Sequence, residues 1–267
     1  MTTIVFRNGN WEESAYLQAT FEVLTGQGVF ETILIKDQVP QFLDLHLARL
    51  RDSSEILGIP LPNSDVVVAG IKQLLLLHQG ELGRLRITLY GGVPIPQLML
   101  SLVGVIPSLG NVSVNISPWM LNENSAITGA KSASYAENVV ALERAKDSGF
   151  TETLFFNNAG QLAEAATSNI VIVVDGEAIT PPLSSGCLPG ITRQVLLEVG
   201  AMKEVSIDSG LLERASAAAL LSSLRGVQPI NVLGRRELNS LDETLRGLIK
   251  VYESRVTQDK ENWAKLL

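Results

Sequence analysis

Lys131-Ser-Ala-Ser-Tyr135-Ala-Glu-Asn138 is the stretch on which the reading of this chain turns. Ahead of it, Ser125 to Gly129 forms a loop of small residues that delivers the lysine. Behind it, Ser134-x-x-Glu137 has the spacing of a capping box, in which a hydroxyl and a carboxylate satisfy the first free amides of a helix. Val139, Leu142 and Ala145 continue at helical spacing to a stop at Gly149. The spacing therefore predicts a lysine set just before a helix N-terminus.

Downstream, Thr153 to Phe156, the turn Asn157-Asn158-Ala159-Gly160 and Gln161 to Glu164 read as a tight hairpin with a carboxylate on its second strand. Asn169 to Val174 reads as a buried strand. Leu188-Pro-Gly-Ile-Thr-Arg193 leads into a helix striped by Val195, Leu196 and Val199, and a glycine-led helix entry is a ready anion site. Ala218 to Ser223 reads as a late strand, although its alanines suit a helix equally, and a terminal helix is expected over about 241–256.

Upstream, Gly28 to Ile35, the turn Lys36-Asp37-Gln38 and Val39 to Phe42 predict a hairpin. Leu43, Leu47, Leu50 and Leu57 set a helix over 43–57, on which His46, Arg49 and Ser53 form a second stripe, so Arg49 is expected to point off the core toward a pocket. Asn63 caps a further helix ending near Gly80, and strands follow at 84–90 and 98–105. Pro107-Ser-Leu-Gly-Asn111 is the expected boundary between an α+β domain at 1–108 and a larger domain at 111–267 carrying the lysine, with its first strand at 112–116.

With 267 residues, 46% hydrophobic and 18% charged, the chain has the material for a globular core of two lobes. A net charge of −7 argues against a nucleic-acid partner. The opening Met1 to Arg7 lacks the pattern of a signal peptide and no apolar run is long enough to span a bilayer, so a cytoplasmic chain without a membrane partner is expected. One cysteine, Cys187, and two histidines, His46 and His78, exclude an internal disulfide and a His-rich metal site. No metal is expected, with an all-carboxylate magnesium site left open. A serine-hydrolase reading is weak because no G-x-S-x-G elbow precedes a helix.

A lysine before a helix, a carboxylate on a hairpin, a glycine-led helix start and an arginine on a helix together meet the needs of one cofactor. Pyridoxal 5′-phosphate (PLP) requires an amine for its aldehyde, a carboxylate for its ring nitrogen, and amides with a cation for its phosphate. In chain order, Lys131 to Asn138, Gly160-x-x-x-Glu164-x-x-x-Ser168-Asn169-Ile170, Thr180-Pro181 and Leu188 to Arg193 resemble the signature of the class IV aminotransferase family, the fold-type IV PLP enzymes. Gly28-Val-Phe-Glu-Thr32 and His46-Leu-Ala-Arg49-Leu50 agree, so the resemblance runs from about residue 26 to 230.

The resemblance implies a two-domain α/β fold like that of D-amino-acid aminotransferases, with an α+β first lobe and a mixed α/β second lobe. It implies Lys131 as Schiff-base lysine and acid/base catalyst, Glu164 on the ring nitrogen, and Arg49, Ile191, Thr192 and Ser223 at the phosphate. Tyr135 falls near the cofactor. Each has a plainer alternative: a solvated lysine, an exposed strand glutamate, a salt-bridged helix arginine, a helix cap, a strand serine, a core tyrosine. Cys187 is read as packing and His46 as structural.

The family divides chiefly into branched-chain aminotransferases, D-amino-acid aminotransferases and 4-amino-4-deoxychorismate lyases. Ser222-Ser223-Leu224-Arg225-Gly226 favours the lyase, which yields 4-aminobenzoate and pyruvate for folate biosynthesis, because lyase-like members carry an Asn-Ser-Leu-Arg-Gly type segment. Its dicarboxylate substrate calls for cations, and Arg84, Arg86 and Arg225 are candidates. Two departures stand out: Gly91-Gly92 replaces an Arg-Gly of many relatives, and Ser222 the usual asparagine. A transaminase and a cofactor-free binding protein on the same fold are the alternatives. The resemblance also implies a homodimer.

Overall fold

A computed structural model describes residues 1–267 except 8, 15, 93–95, 106–109 and 265–267. The expected boundary stretch, Pro107 to Asn111, falls largely outside the described residues. The chain forms two compact units, one of Met1–Pro107, Ala130–Ser134 and Asp259–Leu267, the other of Ser108–Gly129 and Tyr135–Gln258. Lys131 thus belongs with the first unit, although the reading above placed all of 111–267 in one domain. The physical reason is a strand edge, described below.

The first unit contains β1 (Thr2–Arg7), β2 (Asn10–Glu13), α1 (Phe21–Thr25), β3 (Gly28–Lys36), β4 (Val39–Pro40), α2 (Leu43–Leu57), α3 (Ser64–Leu77), β5 (Leu82–Tyr90) and β6 (Gln97–Gly104). Its sheet runs in the order β2-β1-β6-β5-β3-β4, with neighbouring strands antiparallel. Pairing of Glu31 with Ile87 and of Ile87 with Leu100 puts Val29, Glu31, Ile33, Ile35, Leu85, Leu89 and Leu98 on one face. Leu43 and Leu50 of α2 and Val67, Ile71 and Leu74 of α3 belong to the same core. Glu31 is the one acid among these apolar residues, and it is fully buried.

The second unit contains β7 (Ser113–Ile116), α4 (Ala136–Asp147), β8 (Glu152–Phe156), β9 (Leu162–Ala165), β10 (Asn169–Val174), β11 (Glu177–Thr180), α5 (Ile191–Glu198), β12 (Lys203–Glu204), α6 (Ser209–Glu213), β13 (Ala217–Ser222), β14 (Gly226–Pro229), β15 (Val232–Leu233) and β16 (Arg236–Glu237). The last helix, α7 (Glu243–Ala264), follows. Two five-stranded sheets, β12-β11-β10-β13-β14 and β16-β15-β7-β8-β9, share one core. The alanine-rich 217–222 segment is a strand because it pairs along its length with β10, whose every residue is buried.

Two local expectations fail. Ser134 does not cap α4: the helix begins at Ala136 with Tyr135 at its N-cap and no side-chain cap bond, while Ser134 Oγ donates to Gly26 O at 3.0 Å. Lys131 therefore precedes the helix by several residues rather than abutting it. The terminal helix continues past 256 because Trp263 is buried in the first unit's core. No described helix is long and apolar enough to cross a membrane.

Candidate active site

Lys131 owes its place to the edge of β3. At Ile35 and Lys36 that edge is taken by β4, and along its start it is taken by 130–134. Phe30 N donates to Lys131 O at 2.9 Å, Ala133 N to Gly28 O at 2.7 Å, and Val29 bridges Ser132. Lys131 N donates in turn to Ser53 Oγ of α2 at 3.0 Å. Both backbone polar groups of the lysine are thus pinned. Its Nζ lies 4.5 Å from the centroid of the Phe30 ring, and the Arg86 guanidinium lies 3.8 Å from the same centroid.

Beside it, the stripe His46–Arg49–Ser53 of α2 meets the acid of β3. Arg49 Nε and Nη2 donate to Glu31 Oε1 and Oε2 at 2.8 and 2.6 Å, and His46 Nδ1 donates to Oε2 at 2.7 Å. Burial pushes the Glu31 carboxyl pKa up, but the Arg49 guanidinium and His46 overcome it and hold the group well below the ordinary carboxylate range. His46 is shifted down by its burial, which outweighs the pull of Glu31. It is therefore a neutral imidazole whose Nδ1 carries the proton. Arg49 is 6% exposed, its guanidinium held by the buried Glu31 carboxylate.

In the second unit the hairpin of β8 and β9 places Glu164 on a strand end. Its Oε2 accepts from Leu188 N at 3.0 Å and from Asn169 Nδ2 at 3.1 Å, while Asn169 Nδ2 also donates to Leu188 O at 2.8 Å. The same asparagine presses on Gly190, where a Cβ would stand 1.8 Å from Asn169 Oδ1, so only glycine fits. Gly190→Ala is expected to destabilise the fold by about 1–3 kcal/mol, read as a lowered Tm, with Asn169→Ser restoring part of the loss in the double variant.

Gly190 opens α5 without a side-chain cap, leaving first-turn amides with no acceptor inside the helix. Ile191 and Thr192 are buried there, and Thr192 Oγ1 is a buried hydroxyl with no hydrogen-bond partner. Tyr135 Oη donates to Ala166 O at 2.7 Å, which Asn138 Nδ2 also reaches at 2.9 Å. Thr167 Oγ1 donates to the fully buried Glu152, whose carboxyl pKa is raised by burial. Cys187 is buried and its thiol is pushed up to about 11, first by burial and then by the Glu164 carboxylate, so it is no nucleophile.

The remaining candidates are less engaged. Ser223 sits in the turn between β13 and β14 rather than in a strand. Arg225 is exposed and reaches Gln228, and Arg84 is exposed on the face of β5 opposite the core. Arg49, Arg86 and Lys131 are brought together in the first unit. Glu164, Ile191 and Thr192 are brought together in the second. Glu31, Ser53, Phe30 and Asn169 are the participants to which residue-by-residue reading gave no role. No cluster of side chains able to hold a metal ion occurs among the described residues.

A family model for class IV amino-transferases matches residues 28–233. The chain belongs to the class IV aminotransferase family. It is thus a PLP-dependent aminotransferase or lyase, a cofactor class with which the amine, carboxylate and helix N-terminus agree. A bifunctional aminodeoxychorismate lyase / D-amino acid transaminase of Mycobacterium tuberculosis is 28% identical over 251 residues, covering 80% of this chain and 84% of that protein. A branched-chain aminotransferase structure from Thermoproteus uzoniensis with norvaline has a TM-score of 0.86 at 21% identity, covering 98% of this chain and 97% of that one. A fold IV-transaminase from Curtobacterium pusillum has a TM-score of 0.79 at 26% identity, covering 93% and 97%. The class IV chain accordingly has the fold-type IV architecture.

Proposed function

We propose that this class IV enzyme is a 4-amino-4-deoxychorismate lyase, splitting its substrate into 4-aminobenzoate and pyruvate and so serving folate synthesis. The observation that carries the reading is the similarity, over four-fifths of the chain, to the bifunctional lyase and D-amino acid transaminase. The segment Leu224-Arg225-Gly226 supports it less than its spelling suggests. Gly226 has φ 62° and a Cβ there would meet the Tyr252 ring at 2.8 Å, so the turn itself demands that glycine.

The residues present fit the cofactor. Thr192 Oγ1, a buried hydroxyl without a partner at a helix start, suits an anionic oxygen, as do the amides of Ile191 and Thr192. Arg49 supplies the fixed cation and Ser223 a further hydroxyl. Glu164, already accepting two N–H groups, is suited to stay ionised opposite a protonated ring nitrogen. Tyr135, tied to Ala166 O, serves as wall. Bound there, PLP supplies a carbonyl that captures amines and an electron-withdrawing ring.

Lys131 then has two duties: its amine holds the cofactor, and, released by substrate, removes the ring proton and returns one to the departing three-carbon fragment. The pinned backbone fixes the Cα from which Nζ reaches in both. Arg86 is proposed to meet a substrate carboxylate, with Arg84 and Arg225 in outer positions. A transaminase is the second reading, because the bifunctional relative is also named for that activity.

One paired assay separates the two. The lyase reading expects 4-aminobenzoate and pyruvate in equal amounts from aminodeoxychorismate without any keto acid. Turnover of D- or branched-chain amino acids that requires a keto acid, with no 4-aminobenzoate formed, would replace it by the transaminase. The family resemblance also supports a homodimer, for which light scattering should give twice the chain mass.

A further inference from the structure

We infer that Glu31 is a positioning residue that fixes the guanidinium of Arg49 for an anionic group of the cofactor. The inference rests on the proposal that Arg49 meets the phosphate. Glu31 is wholly buried on the core face of β3, among Val29, Ile33 and Ile35. An isolated carboxylate there would be costly, and a well-packed apolar residue would serve stability at least as well. What Glu31 provides instead is orientation. Its two oxygens take Nε and Nη2 of Arg49 side by side, which fixes both the place and the plane of the fork.

His46, one turn earlier on α2, donates to Oε2 as well and keeps the carboxylate from rotating away. The same strand serves the lysine, since Phe30 N holds Lys131 O while the next residue holds Arg49. Ser53, a further turn along α2, closes the frame on Lys131 N. One strand and one helix face thus set the two cationic residues in register.

Positioning and simple charge compensation make opposite predictions. If Glu31 only offsets the charge of Arg49, removing its charge should strengthen phosphate binding; if it aims the fork, withdrawing it should weaken binding even with the charge kept. The test uses cofactor-free protein and measures dissociation constants for PLP and for pyridoxal, which lacks the phosphate. The pyridoxal constant divided by the PLP constant reports the phosphate contribution, falling as that contribution weakens, and is insensitive to a general loss of stability.

Glu31→Asp keeps the charge and shortens the reach, and is expected to lower the ratio about tenfold. Glu31→Gln should lower it too. His46→Ala, which leaves the ion pair intact, should lower it by less, and keeps the test open where a Glu31 variant does not fold. An unchanged ratio in Glu31→Asp and His46→Ala, or a raised ratio in Glu31→Gln, overturns the inference. Arg49→Gln is the control: should it leave the ratio unchanged, the phosphate role of Arg49 falls, and this inference with it.

Discussion

Lys131→Ala is expected to lower turnover by at least about 10³-fold, because it removes at once the nucleophile and the proton carrier. The variant should still fold. Both contacts that fix residue 131, from its N–H to Ser53 Oγ and from Phe30 N to its carbonyl, are backbone contacts that alanine keeps. The side chain gives up the ammonium over the Phe30 ring, a contact worth about 0.5–1 kcal/mol. Purified wild-type protein should be yellow and stay so through dialysis, whereas the variant should lose the colour. Retained turnover with a normal Tm would show that another amine does the chemistry.

Glu164→Gln is expected to cost about 10²–10³-fold in turnover, in the range found when a single preorganised electrostatic contact is lost. The substitution preserves volume and one acceptor oxygen, so Leu188 N and Asn169 Nδ2 retain a partner between them. What disappears is the negative charge that keeps a ring nitrogen protonated. Colour should therefore persist in this variant while turnover falls, the reverse of the coupled loss in Lys131→Ala. Equal turnover in Glu164→Gln and wild type would remove Glu164 from the cofactor's ring nitrogen.

The contrast between legible and hidden features has physical causes. The strands read at 28–35, 84–90 and 169–174 and the helices read at 43–57 and from Asn63 to near Gly80 announced themselves because their apolar periods are long and turn residues bound them. The pair β7–β15 is a two-residue contact between distant segments, and no local period encodes it. The edge docking of 130–134 on β3 is hidden for the same reason. It is also why Ser134 is spent on Gly26 O rather than on a helix cap.

Lys131 and Glu164 stood out as candidates because the cofactor's chemistry calls for an amine and a carboxylate. The candidate site was unreadable where one residue acts through another. Glu31 sits in an alternating run in which Val29, Ile33 and Ile35 share its face, and that alternation was the available sign that an acid enters the core and needs partners. The stripe His46–Arg49 supplied them, but helical spacing alone could not tell whether it faced a pocket or a buried carboxylate. Asn169 gave still less warning. Its importance comes from Gly190, 21 positions away, coming too close for a side chain.

The most direct test is to reduce the freshly purified, coloured protein with borohydride, digest it and locate the pyridoxyl mass by peptide sequencing. The expected result is one modified peptide, carrying the mass on Lys131 and on none of the other seven lysines of the chain. An unmodified Lys131, or the mass on a different lysine, contradicts the account at its centre.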